Sequence, residues 1–264
     1  MYLPVPSQPD CATAWLEAVK LVDSQHGHLG QPGHQAMNVI VDVADPTAAA
    51  TLAHPVVSQV NDFLMARDKS VETVANTIFP NTLYARHGNP GFIGVFNERV
   101  LPKVRKNKNW SGYYFERMTA RAKADGSNLD QLSDLVARIR DRSTKSLHNH
   151  QIVVFDPERD ATDSVYGGQC LSFLNFHLLA TKPKTLVLTV QYRNHYYIEK
   201  LLGNLIGLGR LMAFIAKETE TRVGNLTIIS THATIDLPDG ASRQDVLDLI
   251  ARCEQPPAAA KSAA

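Results

Sequence analysis

Apolar residues in this chain recur at two periods, and the switch between them separates helices from strands. Trp15, Leu16, Val19 and Val22 share one face of a helix that Asp10 is placed to cap. The run 38–43 then reads as a strand. After Pro55, Val56, Val57, Val60, Phe63 and Leu64 define a second helical face. Residues 80–110, rich in Pro, Gly, Asn and Lys, predict a long irregular excursion. The positions 129, 132, 135, 136 and 139 predict an amphipathic helix over 129–139, capped by Ser127 or Asn128. Strands follow at 151–155, 171–179 and 186–193, the last two joined by a turn around Lys182-Pro183-Lys184.

The segment 201–216 is apolar nearly all round, which predicts a helix buried on most sides. Its Gly203, Gly207 and Gly209 each cost about 1 kcal/mol against Ala in a helix, a loss that close approach of another backbone would justify. Asn204 sits among these hydrophobes, where an unpaired amide costs roughly 1–3 kcal/mol, so a polar partner is expected for it. A strand at 225–230 and a helix at 242–252 close the pattern, and no internal repeat is present. Several strands with few βα alternations around one buried helix predict an α+β fold. It is expected to form one domain over 1–252, with 253–264 a disordered Ala-rich tail.

Composition narrows the chemistry. The chain has 264 residues, 44% apolar and 20% charged, enough for one sizeable core. A net charge of +1 offers no global attraction to nucleic acid or anionic lipid, so neither is expected as a partner. The one basic cluster, Lys103, Arg105, Lys106 and Lys108 beside Trp110, reads as a solvated loop. His26, His28 and His34 lie in a Gly-rich loop without a Cys or carboxylate at ligand spacing, so no metal site is expected. Cys11, Cys170 and Cys253 are too few and scattered for a disulfide framework, and no secretion signal or membrane span is apparent, which points to the cytoplasm.

Cys170 lies between a glycine pair and a strand, and it opens a series of matches in chain order. Gln169-Cys170 is similar to the Pro-Cys of the thymidylate synthase superfamily, which includes the pyrimidine hydroxymethylases. Gln191-Tyr-Arg193-Asn194 resembles that family's Gln-Arg-Ser, and Asn204 stands eleven residues past Arg193, the family's interval to its base-reading asparagine. The strand that begins Val223-Gly-Asn and reaches Thr231-His232 resembles the family strand leading to an Asp, a His and a Tyr. The ordered set is strongest between Leu129 and Ala216.

The resemblance implies a cysteine that adds to C6 of a pyrimidine, so that C5 takes a one-carbon unit from 5,10-methylenetetrahydrofolate. Cys170 matches the nucleophile, and Arg193 the cation that would hold its thiolate. Asn204 matches the amide that reads the base, with Asn194 and Gln191 beside it. Tyr114 is implied among the catalytic groups and Phe79 against the cofactor. His232 falls on the family's Asp when read without a gap, which puts Asp236 on its Tyr; a two-residue slip puts His232 on its His. The family is a homodimer packed sheet to sheet.

Departures bear on the reaction. His150-Gln151 stands where the family carries two arginines that reach the partner's substrate phosphate, so two permanent charges are missing unless Arg140, Arg142 or Lys145 replaces them. Gln59 falls at the family's proton-relaying glutamate, a task an amide cannot perform, and Asp62 is the nearest carboxylate. No lid segment precedes the Ala-rich tail, which favours a hydroxymethyl over a methyl product. Beside this reading stand a cysteine enzyme acting on another heterocycle without folate and a non-catalytic ligand-binding module.

Overall fold

The structure is a computed structural model and describes residues 2–106, 113–141, 143, 146–161 and 168–255. Lys108, Trp110, Arg142, Lys145 and the tail from 256 lie outside the described residues. The fold is α+β, built on a mixed seven-stranded sheet. Its strands are β1 (Leu3–Pro4), β2 (Gln35–Val43), β3 (His150–Val153), β4 (Leu171–Leu179), β5 (Thr185–Tyr192), β6 (His195–Tyr196) and β7 (Arg222–Thr234). They lie in the order β1-β2-β7-β5-β4-β3, with β6 beside β7. Pairing is antiparallel except for β1 with β2 and β7 with both β5 and β6.

Register sorts the side chains into two faces. One row runs Val41, Ile228, Val190, Leu174 and Ile152, and a second runs Leu226, Leu188, Phe176 and His150, all of them buried. The opposite face carries the row Ile40, Ile229, Gln191, Phe173 and Val153 and the polar row Asp42, Thr227, Thr189, Asn175 and Gln151. None of these ten is fully buried, because the principal helices cover the first face. Those helices are α1 (Cys11–Asp23), α2 (Pro55–Met65), α3 (Val71–Ile78), α4 (Gln131–Arg140), α5 (Leu202–Thr219) and α6 (Arg243–Glu254).

Local signals account for most boundaries. The Asp10 side chain caps α1, Pro55 opens α2, and Ser242 forms a capping box with Asp245 at α6. The cap of α4 is Asp130, not Ser127 or Asn128, because Asn128–Leu129 pairs instead with Arg121–Ala122. Helix α5 is buried along most of its length, as the all-round apolar pattern predicts, and its glycines lie where α3 and Pro46 press against it. A Cβ on Gly207 would stand 2.7 Å from the Ala75 carbonyl, and one on Gly209 would collide with the Pro46 carbonyl. The excursion predicted at 80–110 is instead folded as far as it is described: it holds the short helices Asn81–His87, Gly91–Val95 and Leu101–Val104. At the sheet edge the Gln131 amide donates to the Val153 carbonyl at 2.9 Å and accepts from its N–H at 3.1 Å, taking the place of a neighbouring strand.

Candidate active site

The end of β5 and the start of β4 meet where Tyr192 pairs with Leu171. The Arg193 N–H donates to the Cys170 carbonyl at 2.9 Å, and its Nε donates to the Gln169 carbonyl at 3.1 Å. The sequence interval of 23 residues between Cys170 and Arg193 is thus closed by one hairpin. Thr231 on β7 fixes the same corner by donating to the carbonyls of Tyr192 and Arg193 at 3.1 and 2.7 Å. Tyr114 stands over it, its hydroxyl at the backbone N–H groups of Leu171 and Cys170 and its ring 6.4 Å from that of Tyr192.

Burial pushes the Cys170 thiol above its ordinary value, and the charges of Arg193 and Lys200 oppose that rise without cancelling it. The resting sulfur is therefore a thiol at neutral pH, not the thiolate expected from a nearby guanidinium. Two cations and no anion act on it, whereas burial and the carboxylates of Asp10 and Asp45 all raise Cys11, and Cys253 is pushed up to about 11. Among the three cysteines only Cys170 escapes full burial.

Behind Tyr192 lies a buried polar chain. The His195 ring stacks on that of Tyr192, centroids 4.0 Å apart and planes 9° apart. Its Nδ1 is 3.0 Å from Ser230 Oγ, and its Nε2 is 2.9 Å from Asn204 Nδ2. The Tyr197 hydroxyl donates to the same Ser230 oxygen at 3.2 Å, and Trp15 Nε1 donates to the Tyr197 carbonyl at 2.8 Å. Asn204 is 2% exposed, so the partner demanded by its place on α5 is His195. Its Oδ1 and the Tyr192 hydroxyl are buried without a hydrogen-bond partner. Each such atom costs about 1–3 kcal/mol until something meets it.

The remaining residues singled out by spacing sit elsewhere. The His232 ring lies between Asn194 Oδ1 at 2.8 Å and Gln35 Oε1 at 3.0 Å, and burial lowers its pKa. A neutral ring has one N–H and one lone pair, so it can donate to only one of those two oxygens. Asp236 accepts from the backbone N–H groups of Ile198 and Glu199 at 2.9 and 3.2 Å, so both its oxygens anchor the turn before α5. Gln191 is exposed on the open face of the sheet.

His150 faces the core at 1% exposure, its Nε2 3.2 Å from the Ser146 carbonyl, so it cannot stand in for an arginine reaching outward. It pairs with Phe176, six residues along β4 from Cys170, about 20 Å at roughly 3.3 Å per residue. Gln151, on the opposite face, donates to the His148 carbonyl and to Asn175. Arg140 is bound to the carbonyl and carboxylate of Glu218, and Arg105 to Glu116.

Gln59 lines a separate cleft of about 370 Å³ between α2 and α6, with Asp62, Arg67, Asp245, Asp248 and Arg252. The turn of α2 that buries Val56, Val60 and Phe63 directs it there. Phe79 is 1% exposed, its ring packed in the core against Phe92, Phe115 and Phe214, and offers no face to a cofactor.

Tyr192, His195, Tyr197, Lys200 and Ser230 complete the cluster, and no local spacing marks them. The inward alternation of β7 is the one signal that bears on Ser230. Among the described residues no group of three or more His, Cys, Asp or Glu side chains could hold a metal ion, and no helix is long and apolar enough to cross a membrane. No family model matches the chain, and no curated protein matches it.

Proposed function

We propose that the chain is a cysteine-dependent pyrimidine enzyme of the thymidylate synthase type, in which Cys170 adds to C6 of the ring and so activates C5. The observation that carries this reading is the meeting of Cys170, Arg193 and Tyr114 at one corner of the sheet, where the charge of Lys200 also acts on the sulfur, joined to the Asn204 amide through the Tyr192–His195 stack. In the addition the sulfur bonds to C6, the C5–C6 π pair moves onto C5 and the 4-oxygen, and the thiol proton passes to solvent. Arg193 and Lys200 favour that loss of a proton. C5 then takes a proton from solvent, gives up its original hydrogen to solvent as a proton, and the returning electron pair expels the sulfur and restores the C5–C6 double bond, so the half-reaction exchanges the C5 hydrogen without a second substrate.

The folate part of the resemblance does not fit. Phe79 lies in the core and Gln59 in another cleft, so the residues implied for the cofactor do not gather at Cys170. The proposed reaction therefore stops at C5 activation, with a one-carbon electrophile as its natural acceptor. The absence of an arginine pair at His150-Gln151 favours a nucleoside or base over a monophosphate. We place the second face of the sheet, with its two half-open rows, against the same face of another copy. The test is tritium or deuterium exchange at C5 of uridine, deoxyuridine and cytidine: Cys170→Ala is expected to abolish it, and exchange that persists in the variant would refute the mechanism.

A further inference from the structure

A further cavity, of about 210 Å³, opens between α3 and the short helices that follow it. Most of its lining is apolar: Pro80 and Phe96 are buried, and Leu83, Val100 and Tyr113 are half-buried. The Tyr113 ring meets that of Phe96 edge-on, centroids 5.9 Å apart. Thr82 on the same lining is exposed, so the cavity is open to solvent. Among the described residues no charged side chain lines it. Its one amide is Asn76 on α3, whose Nδ2 donates to Glu72 Oε1 at 3.1 Å. Arg210 donates to both oxygens of that carboxylate, at 3.0 and 2.8 Å, and holds its pKa below the ordinary value. An ionised carboxylate only accepts, so the amide must turn its NH2 toward Glu72. Oδ1 is thereby left as the free acceptor of a side chain on the cavity wall, buried and without a hydrogen-bond partner.

We propose that this cavity is a binding site for a small neutral ring compound carrying one N–H or O–H donor, its ring against Phe96 and Tyr113 and its donor on Asn76 Oδ1. Size sets the first limit. An aliphatic cavity of about 150 Å³ takes up benzene, so one of about 210 Å³ admits a single ring or two fused rings. The uncharged lining sets the second, because nothing on it would offset the desolvation of an ion. The amide oxygen sets the third: a buried acceptor left unmet is costly, and a ligand that donates to it recovers that cost. The site shares no residue with the corner at Cys170 and does not rest on the pyrimidine reading. Tyr114, next in the chain to Tyr113, directs its hydroxyl to the backbone of Leu171 and Cys170 and takes no part in the lining.

Methyl 1H–13C spectra of Leu83 and Val100 in the full chain, titrated with indole and with 1-methylindole, test the site. Indole is expected to shift both residues saturably and to bind about tenfold more tightly than 1-methylindole, the scale of one hydrogen bond to a buried group. Val100→Trp, which fills the cavity with a ring of its own, should abolish the indole shift at Leu83. In Asn76→Leu, close in shape but without the oxygen, the ratio of the two affinities should fall toward one. A shift at Leu83 that persists in Val100→Trp places the ligand elsewhere and overturns the site, as does the absence of any saturable shift with indole or phenol. Equal binding of the two indoles to the unaltered protein overturns the donor requirement and the part given to Asn76. Should Asn76→Leu fail to fold, that ratio in the unaltered protein still decides the point.

Discussion

The sulfur of Cys170 stands between burial, which favours the thiol, and two cations, which favour the thiolate. Burial prevails in the resting molecule, so reactivity should still climb as pH rises past the ordinary thiol value of 9.0. Iodoacetamide is expected to label Cys170 ahead of the buried Cys11 and Cys253, as peptide mapping would show. Arg193→Gln, which removes one of the cations favouring the thiolate, should slow that labelling about three- to tenfold near pH 8; equal labelling of all three thiols would remove the case for activation. The meeting of Cys170 with Arg193 was legible because one hairpin closes the interval between them, while Asn204 on the following helix meets His195. Tyr192, His195 and Ser230 were not legible, since Ser230 meets its partners through the register of β7 against β5, which no run of neighbouring residues encodes. The positions of Gln59 in its cleft and Phe79 in the core were not legible either, since the rotation of a helix, or a side chain's turn into an aromatic cluster, is decided by packing.

At the scale of elements, the apolar periods identified α1, α2, α4, α5 and the central strands, while the Pro- and Gly-rich stretch after residue 80 concealed short helices between its breakers. The strand predicted at 225–230 extends over Arg222–Thr234 because Thr231, His232 and Thr234 are strand residues whose polarity hides the alternation. Helix α5 allows a test in which propensity and packing oppose each other. In an exposed helix Gly→Ala stabilises by about 1 kcal/mol. At Gly207 the added methyl would meet the Ala75 carbonyl at 2.7 Å, so Gly207→Ala is expected to destabilise by about 1–3 kcal/mol in denaturant unfolding. A stabilised variant would mean that α3 and α5 can move apart freely.

Among the described residues the sheet has one covered and one half-open face, and the half-open one is where we propose that copies associate. If two copies pack through the rows centred on Thr189 and Gln191, the protein should sediment near twice its 29.1 kDa. Thr189→Arg, which puts an unpaired charge in the middle of that face, should return it to the single-chain mass; a monomer before substitution would refute the pairing. The sheet's two borders behave differently. One ends in a two-residue strand that includes Pro4, and along the other the Gln131 amide occupies the hydrogen-bonding positions of Val153. A border closed by proline and a borrowed amide offers little template to an incoming chain. Growth strand by strand into fibrils finds little purchase at either margin, which is why the proposed contact between copies uses the flat of the sheet.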